Sequence, residues 1–116
     1  MESKRAVGYI RVAAPEQANP RRGPDAQAAV IRSVADSAGI EVLRVFEDSG
    51  ESAHNMLRPG LLALLAAVEA GLVDVVIVPD LSRLARDADH LQRLRETLDR
   101  YGVRLIAADE NCHTSK

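Results

Sequence analysis

Apolar residues along this chain fall into two alternating kinds of run. Residues 6–12, 42–46, 73–78 and 104–107 are short and dense in Val, Ile and Leu, the composition of buried strands. Between them lie three longer stretches in which apolar residues recur every three or four positions, which predicts helices. The first spans Pro24–Ala38, with Ala26, Val30, Ile31, Val34 and Ala38 expected on one side. The second spans residues 59–70, with Leu61, Leu65 and Val68 expected inward, and the third residues 87–101, with a stripe of Leu91, Leu94 and Leu98. Pro24 suits a first helical turn, where its missing N–H loses no bond. A glycine follows each helix, at Gly39, Gly71 and Gly102, and the next apolar run begins directly after it. Glycine just past a helix end takes the left-handed conformation without steric cost, so each reads as a helix stop.

The expected order is β-α-β-α-β-α-β. Such alternation predicts an α/β fold, an open and mostly parallel sheet with helices on both faces. Residues 73–78 are apolar on both faces except at Asp74, as expected of a central strand. With 116 residues there is room for one core, so 1–116 reads as one domain. Two polar segments, 13–23 and 48–57, interrupt the pattern, each directly after a strand.

Composition narrows the function classes. The aromatics are Phe46, Tyr9 and Tyr101, so the core is aliphatic. The net charge of −2 excludes a uniformly basic nucleic-acid binder, and any DNA contact has to come from a local arginine cluster. The single Cys112 makes no intrachain disulfide and no cysteine-based zinc site. The apolar run near 61–68 is too short to span a bilayer, and no signal-like run follows the N-terminus. A soluble, cytoplasmic protein without membrane contact is expected.

In open parallel sheets, ligands bind outside the carboxyl ends of the strands. Here those ends carry Arg11 after the first strand, Asp48 and Ser52 after the second, and Ser82, Arg83 and Arg86 after the third, while Arg58 opens the second helix. One arginine at a strand end is ordinarily a solvated surface residue. Four at a single edge of an acidic chain point to an anion pocket, because guanidinium is permanently charged and its planar fork matches phosphate. A Gly-rich dinucleotide turn and a Gly-Lys-Ser/Thr loop are both absent, as is the acidic cluster of a phosphorylation receiver. His54, His90, His113, Cys112 and the Arg21-Arg22 pair read as solvated loop or surface groups.

Three blocks carry a resemblance. Tyr9-Ile10-Arg11-Val12 with Ala13-Ala14-Pro15-Glu16-Gln17, then Phe46-Glu47-Asp48 with Ser52 and Arg58-Pro59-Gly60-Leu61, then Leu81-Ser82-Arg83-Leu84-Ala85-Arg86, resemble the motifs of serine site-specific recombinases of the resolvase/invertase family. Their order and spacing are kept from residue 6 to 109. The resemblance implies a resolvase catalytic-domain-like fold acting in DNA recombination and integration. In that family a serine hydroxyl attacks the scissile phosphate, forms a phosphoserine link and frees a 3′-hydroxyl without metal or cofactor. It implies Arg11, Arg58, Arg83 and Arg86 as the phosphate-binding and catalytic arginines, and Gln17 and Gln27 as phosphate or DNA contacts. Asp48, Ser52 and Ser82 are implied as supporting residues.

This chain departs from the family in two respects. The serine is expected directly after Val12, where Ala13 stands, and Ser82 occupies a position where many relatives carry Asp. Alanine has no nucleophile, and in-line attack tolerates little misplacement by a neighbour, so the site reads as degenerate and inactive. Family members continue with a long dimerisation helix and a DNA-binding domain, and nothing resembling either follows here. Weak, non-specific DNA binding is therefore expected, with association with recombinase-like subunits. Two other classes stay open at this stage: a non-catalytic regulatory or protein-interaction module derived from the same fold, and a flavodoxin-like small-molecule binder suggested by fold alone.

Overall fold

A computed structural model describes residues 4–12, 23–49, 59–85 and 87–109. In chain order the elements are β1 (Arg5–Val12), α1 (Pro24–Ala38), β2 (Glu41–Ser49), α2 (Pro59–Glu69), β3 (Val75–Val78), a 3₁₀ turn (Leu81–Arg83), α3 (Ala88–Arg100) and β4 (Arg104–Ala107). The strands form one sheet in the order β2-β1-β3-β4, with every neighbouring pair parallel. Helix α1 lies on one face, its Ile31 and Ala35 packed with Ala6, Ile10, Val75, Ile77 and Ile106. Helices α2 and α3 cover the other face, where Leu61, Leu64, Val68, Leu94 and Leu98 meet Val7, Tyr9, Phe46, Val76 and Val78. The expected α/β architecture with helices on both faces is what the chain adopts.

The glycine stops act as the pattern predicts. Gly39 has φ 71°, and its N–H donates to the carbonyl of Asp36, closing α1 before the chain turns into β2. Asp87 caps α3 by accepting from the His90 N–H, one residue before the helix proper.

Three local expectations need correction. The buried stripe of α1 is Gln27, Ile31 and Ala35, whereas Val30 is 42% exposed and Ala38 lies outside the core. The close approach of α1 to β1 sets this rotation. A Cβ at Gly8 would lie 2.9 Å from Ile31 Cγ2, so the helix seats Ile31 over the glycine and turns Gln27, four residues earlier, inward with it. Secondly, β2 runs through Asp48 to Ser49, further than its apolar run, because Asp48 is buried in a polar role described below. The β1–β2 register also shifts between Ala6 and Val7, whose partners are Val42 and Arg44, leaving Leu43 53% exposed. Thirdly, β3 begins at Val75, and Asp74 ties the base of the sheet together instead of lying within it.

Asp74 donates its N–H to the Arg5 carbonyl at 2.8 Å and its carbonyl accepts from the Arg104 N–H at 3.0 Å. Its carboxylate accepts from the Arg5 backbone N–H at 2.8 Å and from Arg5 Nε and Nη2 at 3.1 and 3.2 Å. These bonds to the Arg5 side chain and then to its backbone favour the ionised form, lowering the carboxyl to about 2 from an ordinary 3.8. A depressed acid stabilises the fold at pH values above its ordinary range, and that stabilisation is lost as pH falls from 3.8 toward 2. Urea denaturation of the parent and Asp74→Asn is expected to show a higher midpoint for the parent at pH 6. At pH 2 most of that lead should be gone, and an undiminished lead would contradict the assignment.

Candidate functional site

In this sheet the strand order reverses between β1 and β3, since the chain leaves β1 for the α1 face and reaches β3 from the α2 face. The crevice at such a switch point is where open α/β sheets bind ligands. Arg11 is the penultimate residue of β1, and Arg83 ends the 3₁₀ turn that follows β3. Strand alternation sends Arg11 to the same side as Val7 and Tyr9.

The two arginines are interlocked. Arg11 Nη2 donates to the Ser82 carbonyl at 2.9 Å, and its Nε donates to the Arg83 carbonyl at 3.3 Å. Arg83 Nη1 donates in return to the Arg11 carbonyl at 2.8 Å, which also accepts from Gln27 Nε2 at 3.3 Å. Arg11, Arg83 and Gln27 are respectively 5%, 8% and 4% exposed. Burying a guanidinium is unfavourable unless its donors are met, and backbone carbonyls meet part of that need here. Arg83 Nε also lies 3.6 Å from Asp80 Oδ2. The result is two permanent positive charges, held by backbone, at the switch point of an otherwise acidic chain.

Asp48 is the register partner of Arg11 on β2 and is 4% exposed. Its Oδ1 accepts from the Gly60 N–H at 2.7 Å, and its Oδ2 accepts from the Leu61 N–H at 3.0 Å and the Tyr9 hydroxyl at 2.7 Å. The carboxylate thus caps the first turn of α2, where N–H groups lack intrahelical partners and the helix dipole favours negative charge. The helix comes close enough to do this because residue 60 is glycine. A Cβ there would lie 2.6 Å from the Glu47 carbonyl oxygen, a contact that backbone cannot avoid by rotating. Asp48 therefore anchors the helix that starts immediately after Arg58.

Ser82 is exposed, and its side chain is engaged with Asp80. Its hydroxyl and its N–H, the latter at 3.1 Å, both donate to Asp80 Oδ1, and its carbonyl accepts from Arg11 Nη2. Ala13, Gln17, Ser52, Arg58 and Arg86 fall outside the described residues. Of the residues singled out in the sequence, the structure brings together Arg11, Gln27, Ser82 and Arg83, with Asp48 beside them on β2.

The roles of two residues escaped the sequence reading. Asp80 could have been noticed as an Asp immediately before a tight turn, a capping position. Tyr9 could have been paired with Asp48 only once the β1–β2 register was known. A groove between α3 and β4, walled by Gln92, Arg95, Asp99 and Arg104, lies near the start of β4, at the opposite end of the strands from the arginines.

Known proteins share the sequence family and the fold. The family described as Resolvase, N terminal domain, matches residues 6–116. This chain belongs to the resolvase family of serine recombinases. The resolvase-family chain is 35% identical over 105 residues to the transposon Tn21 resolvase of Escherichia coli, covering 90% of this chain and 47% of that protein. It is 34% identical over 111 residues to a DNA-invertase of Escherichia phage P1, covering 94% of this chain and 51% of that one. The chain spans about half the length of the curated relatives it matches. Among solved structures it is similar to the N-terminal catalytic domain of TP901-1 integrase, with a TM-score of 0.82 and 27% identity over 92% of this chain and 79% of that one. It is similar also to the C-terminal catalytic domain of ISC1926 TnpA, an IS607-like serine recombinase, with a TM-score of 0.78 and 31% identity over 90% of this chain and 67% of that one. No described helix of the resolvase-family chain is long and apolar enough to cross a membrane.

Proposed function

We propose that this chain is a recombinase-type catalytic fold that holds DNA phosphate but does not cut DNA. Arg11 and Arg83, interlocked at the switch point, carry this reading. Arg58 and Arg86 are assigned to the same phosphate by resemblance, with Gln17 and Gln27 as further polar contacts. In a complete site the serine hydroxyl attacks phosphorus while fixed guanidiniums stabilise the charge that develops on the phosphate oxygens. With Ala13 at the nucleophile's place, the charge stabilisation remains and the attacking group is missing. No metal or cofactor is assigned a role.

Titration against duplex DNA at several salt concentrations tests this. The parent should bind at low salt and release steeply as salt rises. Arg83→Ala, with its fold checked by thermal melting, should bind more weakly and with a salt slope smaller by about one. Absence of binding by the parent even at low salt would remove the reading.

One observation favours a second role beside this one. The outward side of α2 exposes Leu62, at 55%, with Ala63 and Ala66, and Glu69 is its one charge. A helix so apolar on its outer side suits association with a recombinase-like subunit in a regulatory complex. Sedimentation with a complete resolvase-family protein tests that, and independent sedimentation of the two would reject it.

A further inference from the structure

The carboxylate beside the paired arginines belongs to Asp80, two residues beyond the end of β3. Its backbone is extended, with φ −158° and ψ 164°, and its side chain caps the 3₁₀ turn that leads to Arg83. Oδ1 accepts from the Ser82 N–H and hydroxyl, while Oδ2 lies 3.6 Å from Arg83 Nε. A single carboxylate therefore caps the start of the turn and lies within ion-pair distance of the side chain at its end. The other end of the same guanidinium is held from β1, where Nη1 donates to the Arg11 carbonyl at 2.8 Å. A hydrogen bond from β1 at one edge and the negative charge of Asp80 near the other bias where this planar group sits, and a fork that recognises phosphate depends on that placement.

We propose that Asp80 is a positioning residue of the phosphate site, setting the guanidinium of Arg83 from position 80 where Ser82 has no carboxylate to offer. This rests on the phosphate-binding reading above. The exposed hydroxyl of Ser82 serves the same arrangement by bonding to Asp80, which orients the carboxylate toward the arginine.

A positioning role and a bystander charge give effects of opposite sign. A carboxylate this close to an anion site repels phosphate, so neutralising a bystander would tighten DNA binding. Neutralising a positioning residue weakens it, because Arg83 loses its setting. The ion pair is partly exposed, with the Asp80 side chain at 33% and that of Arg83 at 10%, so the loss is modest.

The experiment uses the full chain and its Asp80→Asn variant, in which the amide oxygen still caps the turn. Duplex DNA of arbitrary sequence is titrated at one low salt concentration, and the arginine Nε–H resonances are followed in ¹⁵N-labelled protein. Binding should weaken roughly 1.5- to five-fold, the range of one partly exposed charge pair. The Arg83 Nε–H resonance should shift and broaden while the other arginines keep theirs. The double variant Asp80→Asn/Ser82→Asp, which moves the carboxylate two residues along, should recover both binding and resonance. Unchanged or tighter binding in Asp80→Asn, or no recovery in the double variant, overturns the proposal. Arg83→Ala in the same titration isolates the underlying reading: if it binds DNA as well as the parent, the phosphate assignment itself has failed.

Discussion

Replacing Ala13 by serine is expected to give a chain that becomes covalently attached to DNA, where the parent, on the function proposed above, is expected to leave it unmodified. Position 13 directly follows Val12, the last residue of β1, and comes two residues after Arg11, whose carbonyl is held by Arg83 and Gln27. The strand leading to the missing nucleophile is thus anchored by the same side chains proposed to hold phosphate. If the proposed phosphate site holds, a hydroxyl added there would meet charge stabilisation from Arg11 and Arg83 and would supply the attacking group. Removing a nucleophile from an otherwise intact site commonly lowers rate by about 10⁴-fold or more, and restoring one should regain a comparable factor. In the step itself the new hydroxyl gives up its proton and forms a phosphoserine bond, one DNA phosphodiester bond breaks, and a free 3′-hydroxyl is left. The check is a protein–DNA adduct that survives denaturation, located by mass spectrometry on the peptide that carries the substitution. If the variant binds DNA through Arg83 yet gives no adduct, alanine at position 13 is not the sole cause of silence.

The second large effect concerns Asp48. Asp48→Ala removes three hydrogen bonds at once, those from the Tyr9 hydroxyl and from the Gly60 and Leu61 N–H groups. Loss of one member of a buried charged network typically costs about 3–5 kcal/mol. For a domain whose total stability is of order 5–15 kcal/mol, that is a large fraction. A fall in Tm of roughly 10–20 °C is expected by calorimetry. Tyr9→Phe removes one of the three contacts and should cost less, about 1.5–3 kcal/mol. Equal losses in the two variants would show that the capping of α2 contributes nothing beyond the tyrosine bond.

Most of the fold could be read from the chain because its signals are local. Helix periodicity, Pro24 at a helix start and the three glycine stops depend on residues within a few positions of one another. The extent of α1 was legible to the residue, while its inward face was not, because Gly8 on β1 decides which residues of α1 can approach the sheet. The candidate site divides in the same way. Arg11, Asp48 and Arg83 could be chosen as residues at strand ends. That the two arginines donate to carbonyls on each other's segments, that Ser82 turns toward Asp80, and that Asp48 caps α2 all depend on the folded backbone around them.

By itself, then, the sequence determined the alternation of strands and helices, the edge of the sheet where arginines gather, the family the chain belongs to, and the alanine at position 13. Only the tertiary structure decided which polar groups are buried together and whose donors they use. The reason is physical. Secondary structure answers to steric and hydrogen-bonding preferences over one or two turns, so its code is short-range. A buried charge answers to every donor and acceptor within about 4 Å, and those around Arg83 come from β1 and from the turn after β3, which meet only when the sheet has formed.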